Sequence, residues 1–302
     1  MRWNRRYAPY LFIAPFFVLF FVFSLFPLAF SMYLSFHQWD AARGLEAMRW
    51  VGVDNYLSAL TDPWFRKSLY NTVWLALAAG IPQHLVALPL AYLIHTQLRK
   101  SRNFVIGAYF LPYITSSVAI ALIFSTLLSK DFGVVNAALG TNIDWLGSAD
   151  YTKPAVAIVV FWRYVGWNAL LYLTALQGID KEIYEAARID GASSWQQFRD
   201  ISLPMLRPMI YLAVTLTLIF NLQLFEEPFI LTGASGAARE AGLGGVGQSA
   251  MTTAMFMYHL AFSDGNFGTA SALSWILFAI IASLTWVNSK LFGRGSGNLG
   301  PH

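Results

Sequence analysis

The 302-residue chain has no cysteine, which excludes a disulfide framework and a thiolate metal site. Charge is also scarce: Asp, Glu, Lys and Arg supply 12% of residues, about half the share usual in soluble domains. No Gly-Lys dipeptide occurs, so the chain lacks a phosphate-cradling loop of the P-loop kind, and any ATP-driven step must be powered by another subunit. The five histidines show no metal-ligand spacing. No paired carboxylates or Ser-His-Asp grouping can be argued from the loops, so the chain is not read as an enzyme. The net charge of +4 is scattered between apolar runs, which suits basic membrane loops and not a nucleic-acid footprint.

What is present is apolar: 57% hydrophobic and 16% aromatic residues, with a mean hydropathy of +0.51. These place the chain among all-α integral membrane proteins. A span needs about 20 mainly apolar residues. Six segments qualify: Tyr10 to Leu34, Thr72 to Ile94, Phe104 to Leu128, Pro154 to Leu176, Met209 to Phe225 and Phe267 to Val287. The first exceeds a signal-peptide core and has no small-residue cleavage site after it, so it is read as retained. Pro15 and Pro27 inside it are tolerable in lipid. The third carries no charge and is the cleanest. Ala250 to Phe262 is too short to span and reads as an interfacial or re-entrant helix.

Alternate loops differ in basic residues. One side collects Arg2, Arg5, Arg6, Arg99, Lys100, Arg102, Lys181, Arg188, Arg199, Arg207, Lys290 and Arg294; the other has Arg43, Arg49, Arg66, Lys67, Lys130, Lys153 and Arg239. The richer side is assigned to the cytoplasm, and both termini with it. This divides the chain into a cytoplasmic segment 1–9, a six-helix body 10–290 and a cytoplasmic tail 291–302.

Glu185 to Pro204 is a polar island between the fourth and fifth spans, on the cytoplasmic side. Asp180 is placed to cap a helix from Lys181 to about Asp190, with Gly191 as its left-handed end. Ser193 and Gln196 fit a capping box for a second helix that stops before Pro204. Trp195, Phe198 and Ile201 recur on one face, which needs a partner either within the chain or on another protein.

Glu185, Ala186 and Ala187, then Gly191, then Ile201, Leu203 and Pro204, together with RIDGA at Arg188 to Ala192, resemble the EAA signature of permease subunits of bacterial ATP-binding cassette importers. The resemblance extends over nearly the whole chain. VGVDNYLSALTD, GVVNAAL and the SMYLSFHQWD end of the first span are similar to carbohydrate-importer permeases, and to the first of the two permeases usually paired. Family members commonly carry a Gly-Gly-Pro turn after the fifth span, where this chain has a glycine-rich run, Gly233 to Gly247, without proline. The resemblance implies a bacterial inner-membrane, multi-pass permease surrounded by lipid. It also implies a second permease subunit, two ATPase subunits holding ATP and magnesium, an extracytoplasmic substrate-binding protein, and no cofactor in the chain itself. Residues 180–204 would form the coupling element, through Glu185, Ala186, Ala187, Gly191, Ile201, Leu203 and Pro204, with Trp195 and Phe198 as apolar anchors.

Within the spans, Arg163 either touches substrate hydroxyls or snorkels along its own helix. Asn221, Gln223, Glu226 and Glu227 offer amides and acceptors suited to a sugar. The same carboxylates also read as a membrane-boundary pair, with Pro228 ending the fifth helix. His84 reads as a helix contact. An ion-coupled secondary transporter is the alternative; it would want inverted repeats and acidic relays, and no carboxylate is expected well inside a span. A third reading, a structural membrane protein, implies no ATPase partner.

Overall fold

The structure, a computed structural model, describes residues 7–98, 101–234 and 243–292. Expectations about the arm before Tyr7, the tail after Phe292, the basic residues Arg99, Lys100 and Arg239, and the middle of the glycine-rich run concern residues outside that set. Hydrocarbon offers the backbone no partner, so spans must close their hydrogen bonds internally. Among the described residues five helices are long and apolar enough to cross a membrane: Pro9–Ser35, Pro63–Thr96, Ala149–Leu176, Arg207–Gly233 and Phe267–Lys290. A bent pair, Arg102–Ile114 with Ser117–Leu127, brings the number to six when it is counted as one span.

The chain divides into two compact units, one from Met1–Phe65 and Met257–Phe278, the other from Arg66–Phe256 and Ala279–His302. The first unit holds α1 (Pro9–Ser35), with a π turn at Phe21–Leu25, the strands β1 (His37–Gln38) and β2 (Arg49–Trp50), and α2 (Asp54–Thr61). The strands pair antiparallel, His37 opposite Trp50. Buried Asn55 ties this unit together: its amide donates to the carbonyls of Ser35 at 3.0 Å and His37 at 2.9 Å, and its oxygen accepts from the Thr269 hydroxyl at 3.3 Å. The unit's surroundings must suit α1, because its Phe-rich surface is exposed along nearly its whole length.

In the second unit come α3 (Pro63–Thr96, from Arg66 onward), α4 (Arg102–Ile114), α5 (Ser117–Leu127), α6 (Val134–Leu139) and α7 (Ala149–Leu176). These are followed by α8 (Lys181–Ile189), a composite helix α9 over residues 194–205, α10 (Arg207–Leu222), α11 (Glu226–Ala234), α12 (Thr253–Phe262, up to Phe256) and the end of α13 (Phe267–Phe292). Helix α7 is central. Val156, Val159 and Val160 pack with Leu75 and Ala79 of α3 and Ile120 and Ala121 of α5. Further along, Ala169, Tyr172, Leu173 and Leu176 meet Ala87, Ala91 and Ala213. The small residues matter because helix association in lipid relies on close packing and interhelical hydrogen bonds. Asn168 supplies such bonds, donating to Gln83 at 3.2 Å and Thr217 at 3.4 Å, and His84 meets the Tyr172 hydroxyl at 2.7 Å.

The third span, uncharged from Phe104 to Leu128, is not one straight helix. Helices α4 and α5 meet at 96°. Pro112 removes a donor from the last turn of α4, and the Thr115 hydroxyl bonds the Leu111 carbonyl at 2.7 Å. Thr115 and Ser116 are then extended, with ψ of 146° and 131°. Counting charge and hydropathy was blind to this break.

The fifth span also differs. α10 ends at Leu222, and α11 begins at Glu226 after a three-residue interruption. Pro228 therefore lies in the first turn of a helix instead of ending one, a position where its missing N–H costs nothing. Glu226 and Glu227 precede it, where carboxylates complement the helix dipole.

Gly166 of α7 faces the carbonyl of Tyr109 on α4 so closely that a Cβ would overlap it, whereas Gly107 has nothing within 4 Å. Gly166→Val should therefore lower the melting temperature of the detergent-solubilised protein sharply, by about 1–3 kcal/mol or more of stability, while Gly107→Val leaves it nearly unchanged.

Candidate functional site

Two places concentrate polar groups in the second unit. The first is the island. Helix α8 starts with Asp180 at the N-cap position, as expected, but the Asp180 side chain makes no capping bond. Its end matches the expected glycine stop: Gly191 has φ of 82°, its N–H reaches the Arg188 carbonyl at 3.1 Å, and the Ala192 N–H reaches Ala187 at 2.9 Å. This is the paired Schellman pattern. Ser193 and Gln196 then form both bonds of a capping box, at 3.3 Å and 2.8 Å.

The second island helix does not stop before Pro204. Residues Gln197–Ser202 widen into a π turn in which the Leu203 N–H reaches back to Phe198, and Leu203–Met205 follows. Pro204 sits in the first turn after this widening, where no donor is required of it. The chain thus passes almost without a break into α10.

The island is fastened to the end of α3. Phe198 is buried with its ring 5.0 Å from that of Tyr92, whose hydroxyl donates to Ser194 O at 3.0 Å. The Tyr184 hydroxyl meets Ser202 at 2.8 Å, and the Gln197 amide donates to Ala192 O at 3.0 Å. Burial raises the Tyr184 phenol above its ordinary pKa, with the Ser202 hydrogen bond acting the other way. Ile201, Leu203 and Ala187 are half-buried, while Glu185, Ala186, Gly191 and Pro204 are exposed. The expected apolar stripe is therefore split: Phe198 and Ile201 face the chain's own helices, and Trp195 is 65% exposed. Sequence reading missed Ile189, 87% exposed. With Ile183 and Ala186 it recurs every third residue along α8, a spacing that was available in the sequence. Glu185 lines a cleft of about 480 Å³ with His95, Arg102, Lys181 and Arg188.

The second place is a cavity of about 530 Å³ at the two helix interruptions, lined by Tyr113, Arg163, Tyr164, Gln223, Glu226 and Glu227 among others. Arg163 does not snorkel. Its Nη1 donates to the Glu227 carboxylate in an ion pair whose side chains are only 11% and 3% exposed. Its Nη2 reaches the Thr115 carbonyl at 3.5 Å, and the guanidinium lies over the Tyr164 ring, 5.4 Å from its centre. Tyr164 also donates to Glu227, at 3.2 Å. Glu227 is thus a buried carboxylate in an apolar segment where none was expected. Removing one partner of such a pair costs about 3–5 kcal/mol, because the other charge is left uncompensated.

Glu226 lines the same cavity and accepts from the Ser117 hydroxyl at the start of α5. Gln223 is exposed to the cavity. Asn221 is not in the lining; it is 3% exposed and donates to the Ala76 carbonyl at 3.4 Å. Sequence reading missed Tyr113 and Ser117, because the third span was read as unbroken and its polar turn had no evident role, and it placed Tyr164 only as a ring along which Arg163 could lie. Among the described residues no three His, Asp or Glu side chains gather as metal ligands would. The arrangement offers acceptors, an amide and aromatic faces to the cavity.

Residues 87–292 match the family described as the binding-protein-dependent transport system inner membrane component. The chain is 33% identical over 299 residues to the probable ABC transporter permease protein YurN of Bacillus subtilis (strain 168), covering 97% of this chain and 98% of that protein. It is also 33% identical over 285 residues to the lactose transport system permease protein LacF of Rhizobium radiobacter, covering 92% and 91%. A crystal structure of a bacterial ABC transporter involved in the import of the acidic polysaccharide alginate has the same fold, with a TM-score of 0.81 at 23% identity over 96% of each chain. A family match over most of the chain, full-length relatives and a shared helical fold agree, and the chain belongs to the inner membrane components of binding-protein-dependent transport systems.

Proposed function

We propose that this chain forms half of the translocation pathway of an ATP-driven importer for a carbohydrate, paired with a second permease subunit. Two ATPase subunits would dock beneath it, supplying ATP and magnesium, and an extracytoplasmic binding protein would deliver the sugar. Both termini and the island would face the cytoplasm, with the body running over residues 10–290. One observation carries the reading: a single chain with no nucleotide loop has an exposed, doubly capped island and a polar cavity, joined by α10.

In this reading Ile189, Trp195, Ala186 and Glu185 seat on the ATPase, Gly191 makes the turn between the two short helices, and Phe198 anchors the island to Tyr92. Ile201, Leu203 and Pro204 carry the connection into α10, and Ala187 lies against the chain itself. Sugar hydroxyls would donate to Glu226 and exchange hydrogen bonds with Gln223, while aromatic faces at Tyr113 and Tyr164 would take the apolar side of the ring. Arg163 and Glu227 would hold the walls. The carbohydrate assignment draws on the relative named for lactose transport.

Three outcomes test this. Gly191→Asp, or Ile189→Glu with Trp195→Ala, should leave the permease folded but reduce ATPase co-purification or coupled uptake at least about tenfold; unimpaired uptake would exclude the island as the contact. Arg163→Gln and Glu227→Gln should each lower thermal stability by about 3–5 kcal/mol, and the double variant by less than their sum; additive losses would mean the pair is not coupled. In proteoliposomes, uptake should require internal ATP and persist with a protonophore, whereas a secondary transporter would show the reverse.

A further inference from the structure

We propose that the cavity at Glu226 selects by charge, accepting neutral or amino-bearing sugars and disfavouring sugars that carry carboxylate or sulfate groups. The proposal rests on the cavity being part of the transport pathway.

The charge count around the cavity is uneven. Its lining contains one cation, Arg163, and two carboxylates, Glu226 and Glu227. Both terminal nitrogens of the guanidinium are engaged, Nη1 with Glu227 and Nη2 with the Thr115 carbonyl, its face covers Tyr164, and Nε, which has no hydrogen-bond partner, is buried away from the cavity surface. An anionic solute could take over Nη1 only by displacing Glu227, whose buried charge would then keep the Tyr164 hydroxyl but lose its counter-charge. Glu226 has no cation beside it among the described ion pairs; its contact is the neutral Ser117 hydroxyl. A solute entering the cavity therefore meets a formal excess of one negative charge. Hydroxyl and ammonium donors fit it, and a second anion is repelled. Glu226 is exposed to the cavity, and even at the effective dielectric of about 20 found near a protein surface one uncompensated charge a few ångströms away suffices for about a tenfold preference. The alginate importer of the same fold is described as moving an acidic polysaccharide, so the shared fold leaves charge preference to local residues such as these.

Because the chain has no cysteine, Gln223→Cys places a single thiol in this subunit at the cavity wall. The assembled importer carrying it is treated with methanethiosulfonate reagents of similar size that are anionic, neutral or cationic. Modification of this subunit is followed by intact mass, with rates normalised to those for a free thiol in solution. The cationic reagent should react at least about tenfold faster than the anionic one. Adding Glu226→Gln should shrink that ratio to about twofold or less, and Glu226→Asp should preserve it. Equal rates in the single variant, or a ratio indifferent to Glu226→Gln, would overturn charge selection while leaving the pathway reading intact, because the thiol would have been reached. Failure of all three reagents, the neutral one included, would remove the cavity from the pathway and the proposal with it.

Discussion

Arg163 links the polar ends of three pieces of backbone whose apolar faces already pack together. From the middle of α7 it reaches the carbonyl at the α4–α5 bend and the carboxylate that opens α11. Both neighbours are broken spans, and a broken helix in hydrocarbon exposes carbonyls that lipid cannot satisfy. At the first break Arg163 serves the Thr115 carbonyl; at the second, the Thr252 hydroxyl serves the Leu224 carbonyl at 2.7 Å. Irregular backbone at that depth survives only where protein polar groups or a cavity receive it, and here both do. The cavity and its two interruptions are therefore aspects of one constraint.

The same constraint explains why some features were legible in the sequence and others were not. Long apolar runs reveal spans because length and composition alone decide whether a helix crosses. The island was legible because its signals are local: the Gly191 turn and the Ser193–Gln196 box depend on residues within one helical turn of each other. The 96° bend is different. Pro112 and the hydroxyls at Thr115 and Ser116 permit a break, but Pro15 and Pro27 also sit in the first span, where Pro9–Ser35 remains one continuous span. What decides the matter is whether a distant side chain stands ready for the freed carbonyl, and Arg163 is 48 residues away from Thr115 in the chain. The Glu226-Glu227-Pro228 run could have been read correctly. Two acids followed by proline mark a helix start at least as well as a stop, and reading proline only as a terminator concealed α11. The burial of Glu227 is beyond such reasoning, because its partner lies 64 residues earlier.

The island's apolar residues divide between two tasks, and the division follows from geometry. Phe198 sits where the chain folds back on α3, so Tyr92 covers it. Trp195, one turn earlier, projects past that cover; so does Ile189 at the end of α8. Trp195 and Ile189 thus leave apolar surface uncovered within the chain at a capped tip, the kind of surface a partner can cover. Caps fix the tip's shape without supplying that cover. A rigid tip with an apolar surface suits a partner's groove better than a flexible loop would, because little conformational entropy remains to be lost on docking.

Helix α10 gives the two sites a mechanical relation. It begins within a few residues of Pro204 and ends at Leu222, next to the interruption that carries Gln223, Glu226 and Glu227. Its 16 residues make a strut about 24 Å long, held by packing along α7. A helix of that length transmits displacement or rotation with little loss, whereas the non-helical residues Gln223 to Phe225 can absorb a change in direction. Under the proposed function, movement imposed at the island would therefore be felt first where the strut meets the break, at the cavity wall. The Arg163–Glu227 pair sits just beyond that joint and resists separation. The break is then the part of the second unit best placed to change shape while both of its flanks move as rigid pieces.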